Sequence, residues 1–171
     1  PVQVNRQRHQ AAITHPQWAD AMALLMRRYL AKERHFRWHD SGDLASVDHL
    51  RKIVTIAERT PWLRHWLPTH EGEIVADFVL GGGVIPANLT IRLSADYIGV
   101  AADVPGILRD KVTTSTAHTT IGAPVAGAIE CRAHERDHEC GPCRACWSPN
   151  AAAISYPVTG PALVTIRSRP R

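Results

Sequence analysis

HFRWHDSGDLASVDHLRKIVTIAER, residues 35–59, is the stretch whose reading decides the fold. Phe36 and Trp38 alternate as in a short strand, and Asp40-Ser41-Gly42-Asp43 cannot continue one. Val47, Leu50, Ile53, Val54 and Ala57 then recur at helical spacing over about 46–59, with Ser46 as a plausible N-cap and Pro61 as the limit. A strand, a polar loop and a helix in direct succession make a βα unit, the building block of parallel sheets.

The same rhythm continues downstream. Residues 63–67 read as a short strand, Pro68-Thr69-His70 as a turn, and the region near 71–80 as a short helix that Gly81-Gly82-Gly83 ends. Residues 88–93 (NLTIRL) form a strand that Ser94-Ala95-Asp96 leaves. Weaker strands are expected at 111–116, 151–156 and 162–166. Upstream, a helix is expected over about 16–32, opened by Thr14 and Pro16, with Trp18, Met22, Leu25 and Tyr29 as its apolar face. Trp18, Trp38, Trp62 and Trp66 read as core or groove aromatics. The predicted class is α/β, with parallel βα units in a partial or incomplete TIM-barrel-like sheet and a C-terminal cysteine-ligated metal loop. The expected organisation is an α/β domain over 1–130, a four-cysteine loop over 131–150, and strands with a basic tail over 151–171.

Composition sets the outer bounds. The chain has 171 residues, of which 44% are apolar and 21% charged, enough for one sizeable core and too few charges for a disordered polyelectrolyte. No apolar run approaches the length of a membrane span, and PVQVNRQRHQ lacks the apolar stretch of a secretory signal. Lys and Arg exceed Asp and Glu by 20 − 16 = 4. Part of the excess lies in Arg6 and Arg8 at one end and Arg167, Arg169 and Arg171 at the other, which read as soluble ends. A balance of this size argues only weakly for nucleic acid.

In parallel α/β proteins chemistry gathers at the carboxyl ends of the strands. Here those ends offer His39-Asp40-Ser41-Gly42-Asp43, His70, Ser94 with Asp96, and Thr114-Ser115-Thr116 with His118. Asp40, Asp43 and His70 are the candidate catalytic groups: the carboxylates suit an amine or a divalent cation, and the imidazole suits proton transfer. Gly42 would let a ligand approach the backbone. Each of these residues is also an ordinary turn or cap residue.

All four cysteines lie between 131 and 146, in CRAHERDHECGPCRACW. Clustering points to a local metal site rather than a disulfide framework. Cys140, Cys143 and Cys146 follow two successive x2 spacings, with Cys131 to complete the set, as in iron–sulfur ligation. The expected cofactor is a [4Fe-4S] cluster. Zn2+ is the alternative, with His134 or His138 available as ligands. Cys140-Gly141-Pro142-Cys143 matches the thioredoxin tetrapeptide, but no βαβ unit precedes it in the way that chemistry requires.

FRWHDSGDLASVDHLRKIVTIAERTPWLRHWLPTH, NLTIRLSAD, KVTTSTAHT and CGPCRACW followed by AISYP together resemble the phage "gene product 88" family of uncharacterised proteins, from about residue 34 to 157. The resemblance implies a phage or prophage origin and a place in the bacterial host cytoplasm. Members usually carry a further cysteine-rich stretch upstream, and that feature with the SGD-type motif is similar to radical S-adenosylmethionine enzymes. By this analogy Ser41, Gly42 and Asp43 stand near the amine of S-adenosylmethionine and Ser94 and Asp96 near its ribose, while the four cysteines hold an auxiliary site. This chain departs from the pattern, with no cysteine before Cys131. Either an upstream part is missing, as the start at Pro1 hints, or the scaffold has kept its metal site and lost the catalytic one. The competing expectations are a zinc-stabilised module for nucleic acid or protein, using Arg132, Arg136 and Arg144, and a metal-assisted hydrolase using the strand-end Asp and His groups. The sequence names no substrate, no specific partner and no oligomeric state.

Overall fold

The computed structural model of the chain describes residues 8, 10–39 and 42–158. Asp40, Ser41, the strand expected at 162–166 and the terminal arginines Arg6, Arg167, Arg169 and Arg171 lie outside them. Helices α1 (Trp18–Tyr29), α2 (Val47–Arg59) and α3 (Gly72–Leu80) accompany strands β1 (His35–Arg37), β2 (Arg64–Thr69), β3 (Leu89–Ser94), β4 (Thr113–His118), β5 (Ile129–Glu130) and β6 (Ala153–Pro157). The six strands form one parallel sheet in the order β1-β2-β3-β4-β6-β5, curled as half a barrel. No helix of the described residues is long and apolar enough to cross a membrane.

The decisive stretch folds as its residues dictate. Ser46 has extended backbone and its Oγ accepts from the His49 N–H at 3.1 Å, which supplies one of the unpaired donors at the start of α2. Leu50, Ile53 and Ile56 on α2 are fully buried, each contributing roughly 1.5–3 kcal/mol. They meet Leu67 of β2 and Leu89, Ile91 and Leu93 of β3 in the main core. At the end of α3, a Cβ on Gly83 would lie 2.4 Å from the Phe78 ring, so only glycine allows the chain to turn against that ring.

Three expectations need correction. On α1 the buried residues are Ala23 and Met26, whereas Leu25 and Tyr29 are exposed. Two apolar stripes share this helix, and packing on α2 selects the one through Trp18, Ala19, Met22, Ala23 and Met26. The helix also starts later than expected, after Gln17, without a side-chain cap. β4 runs two residues past the expected end at 116, so Thr114, Ser115 and Thr116 lie inside the strand instead of at its carboxyl end, and only His118 is at the strand end. The two-residue β5, Ile129–Glu130, is too short to show periodicity in the sequence.

Alternation divides the sheet into two faces. Leu89, Ile91 and Leu93 of β3 face the helices. Thr90, Arg92 and Ser94 alternate with them, and this face carries Trp66, Cys146, Trp147, Ala151 and Ile154 as a second apolar cluster. The cluster is supplied by the connection from β5 to β6, whose one-turn 3-10 helix Ala145–Trp147 packs on β2 and β3. The Trp147 indole N–H reaches the Phe36 carbonyl of β1 at 2.8 Å. A connection that in an ordinary βα unit is a helix on the outside runs here across the inside of the half barrel and fills it.

Candidate functional site

Among the described strand-end residues Asp43, His70 and Asp96 come together, and their polar groups meet one another and the neighbouring backbone. Asp43, half-buried after β1, uses Oδ1 to accept from the Thr69 hydroxyl and the Leu44 N–H, and Oδ2 to accept from the His70 N–H at 2.8 Å. His70 Nδ1 lies 3.3 Å from Asp96 Oδ1, with both side chains exposed. Ser94 Oγ meets Ser115 Oγ at 3.1 Å. Asp43, His70 and Asp96 therefore link the carboxyl ends of β1, β2 and β3 in a chain of polar contacts. A carboxylate with three donors is a latch between strands first and a free base last. Gly42 sits at φ +90°, where its backbone is strained for any residue with a Cβ.

On the far strands the expected strand-end residue His118 has two partners that the sequence does not single out, Ser155 and Glu130. His118 is buried with Nδ1 2.7 Å from Ser155 Oγ and Nε2 2.9 Å from Glu130 Oε1. The Gly122 N–H and then His118 hold the Glu130 carboxyl below its usual range. Ser155 is completely buried, and its Oγ also accepts from the Val125 N–H. This array ties β4, β5 and β6 to the 119–128 segment rather than presenting a hydroxyl to substrate. Parity along β4 was the available signal, since His118 and Ser155 share the face opposite Ile154.

Arg92 is the central unforeseen residue. Its side chain is fully buried, and its guanidinium donates to the carbonyls of Cys146 (3.0 Å), Thr114 (3.0 Å), Ala145 (2.8 Å), Ser148 (3.0 Å) and Ala151 (2.9 Å). Thr90 Oγ1 adds a bond to the Trp147 carbonyl at 3.0 Å. Together these bonds fix the backbone that carries Cys146. The Cys146 thiol is buried and lies 3.3 Å from the Tyr156 hydroxyl. Cys131 follows β5, its N–H donating to the Ser155 carbonyl at 2.8 Å. The sheet thus pins the first and last cysteines of the motif, one at each end of the loop.

Between them the loop has little to hold it. No side chain from 132 to 145 is buried, Cys140 and Cys143 are exposed, and Asp137, His138 and Gly141 have positive φ. Burial pushes the Cys131 thiol up, and the charges of Cys140 and Cys143 push it further. Cys146 is likewise raised by burial and by Cys131 and Cys140, against the lowering effect of Tyr156 and Arg92. A set of four soft sulfur donors in one connection suits iron–sulfur or zinc. Among the described residues no group of three or more His, Cys, Asp or Glu side chains is gathered closely enough to enclose a metal ion. His134 Nδ1 turns to the Cys131 carbonyl at 3.2 Å.

The arginines expected to make one continuous surface are engaged locally. Arg132 pairs with Glu135 at 3.7 Å, Arg136 reaches the Cys140 carbonyl at 3.5 Å, and Arg144 donates to the Cys143 carbonyl at 2.7 Å.

No curated protein and no solved structure matches the chain. A family model described as Gene product 88 matches residues 1–149, which takes in the helices, the first five strands and all four cysteines. The chain belongs to the Gene product 88 family.

Proposed function

We propose that this protein is a metal-binding member of its family, with Cys131, Cys140, Cys143 and Cys146 as the ligands of one four-thiolate centre, a [4Fe-4S] cluster by their spacing. The observation that carries the reading is the unequal anchoring of the four thiols. Cys131 and Cys146 are fixed to the sheet, whereas Cys140 and Cys143 stand on a loop without a buried side chain. A loop of this composition gains order from a bound metal, whose binding free energy becomes folding free energy. Such a cluster stores and passes single electrons. Arg92 holds the Cys146 backbone, Tyr156 shields its sulfur, and Trp147 closes the apolar side.

Zn2+ in the same connection is the second reading, with His134 or His138 available to stand in for one of the four cysteines. A role for S-adenosylmethionine near Gly42, Asp43, Ser94 and Asp96 rests on the family analogy alone. The test is the absorption spectrum of anaerobically purified protein. The account expects a brown chromophore that dithionite bleaches and that Cys143→Ala lacks. A colourless protein with zinc would replace the cluster, and a variant that kept its metal would overturn the ligand assignment.

A further inference from the structure

A second feature on the inner face lies beside the cysteine connection, which supplies Arg144 and Trp147 to it. His35 and Arg37 on β1 stand opposite Arg64 and Trp66 on β2 in the parallel register, and β1 is the edge of the sheet. The Arg37 guanidinium lies over the Trp66 ring, 4.8 Å from its centroid. Trp66 packs edge-on against Trp147 at 5.2 Å, the His35 ring meets Trp147 at 5.3 Å, and the Arg144 guanidinium lies 6.0 Å from the same indole. Two buried indoles thus form a floor, with three exposed arginines and a histidine around it. Burial and the charges of Arg144 and Arg64 hold the His35 imidazole below its ordinary value. Among the described residues none of the three arginines is in an ion pair with a carboxylate. Trp66 Nε1 is also a buried donor without an acceptor among them.

Like charges gathered this closely repel, and among the described residues no carboxylate pairs with these. Their arrangement suits an external anion with several charges. Guanidinium groups are flat forks matched to phosphate, and stacking on an indole lowers the freedom they lose on binding. Positions two apart on a strand repeat at about 6.6 Å, so the row at the open edge follows one chain of phosphates. We propose that His35, Arg37, Arg64 and Arg144 form a binding site for the sugar–phosphate backbone of a single nucleic-acid strand. The buried indoles support the cations and leave the bases unread, so binding is independent of sequence.

The test is fluorescence-anisotropy titration of the intact protein with a labelled mixed-sequence single-stranded oligonucleotide across a salt series. Arg37→Gln with Arg64→Gln is expected to weaken binding at least tenfold and to reduce the salt slope by about 1.4, two contacts at ~0.7 each. Arg37→Lys with Arg64→Lys should retain most of the slope. Arg109→Gln, an exposed arginine outside the patch, should leave binding unchanged. Thermal melting of each variant at the wild-type temperature confirms that the fold is intact. Equal loss in Arg109→Gln, no loss in the double Gln variant, or tighter binding to anionic phospholipid vesicles than to the oligonucleotide would each overturn the proposal.

Discussion

Arg92 Nε donates to the Cys146 carbonyl oxygen at 3.0 Å across 54 residues of sequence, joining the centre of the sheet to the last cysteine of the motif. A fully buried guanidinium is costly unless its donors are met, and here backbone carbonyls of the cysteine connection and β4 meet them. Arg92 is therefore part of the architecture of the candidate metal centre, although it contributes no ligand.

Replacing Arg92 by Met keeps the apolar stem and leaves these carbonyls without their donor. Buried unsatisfied groups cost about 1–3 kcal/mol each and do not add fully, so the expected loss is roughly 3 kcal/mol in urea unfolding. Cys146 should also gain reactivity toward a thiol reagent as its turn loosens. A variant as stable as wild type, with Cys146 still protected, would contradict this role.

His65 makes stability depend on pH. Its ring is buried, with Nδ1 accepting from the Trp38 indole at 3.2 Å and Nε2 2.9 Å from Thr60 Oγ1. Burial lowers its pKa from 6.5 to about 4. The unfolded chain takes up a proton near 6.5 while the folded chain stays neutral, so the contribution is fully present above 6.5 and is lost as pH falls toward 4. The whole effect is at most about 3 kcal/mol. Urea midpoints for wild type should fall across this window, and His65→Gln should flatten that part of the fall. An unchanged profile in the variant would assign the acid sensitivity elsewhere.

Asp43 is expected to act as a strand latch. Asp43→Ala removes the acceptor for the Thr69 hydroxyl and the Leu44 and His70 N–H groups, and should cost about 1–3 kcal/mol. Asp43→Asn keeps one acceptor oxygen and should recover part of that loss. Equal stability of all three proteins in thermal melts would return Asp43 to the status of a free carboxylate.

Metal occupancy should control proteolysis of the cysteine loop. Arg132, Arg136 and Arg144 fall between the first and last cysteines, where no side chain is buried among residues 132–145. Trypsin should cut there rapidly in chelator-treated protein or in Cys143→Ala, and slowly in the metal-loaded form. Equal cleavage rates would mean that the loop is ordered without metal.

The helix side of this fold was open to reading in the sequence because its signals are local. Ser46, the apolar positions of α2 and the glycines after α3 each act within one or two turns. The inner face was hidden for the opposite reason. Arg92 sits in the strand NLTIRL like any polar residue on a solvated face, and its partners lie more than 20 residues away. The loop that fills the half barrel shows only its spacing, which speaks of thiols and says nothing of Trp147 reaching Phe36. Asp43, His70 and Asp96 were identifiable as strand-end groups, but their mutual satisfaction depends on the register of three strands.

The most direct test of the central claim is the iron, acid-labile sulfide and zinc content per chain after anaerobic purification, measured beside the variant with all four cysteines replaced by serine. The account predicts four iron and four sulfide per chain in the wild type, in keeping with a four-iron cluster on four cysteines, and none in the variant. One zinc per chain would preserve the thiolate centre and discard the cluster. Metal-free wild-type protein, or equal metal in both proteins, would contradict a cysteine-ligated centre.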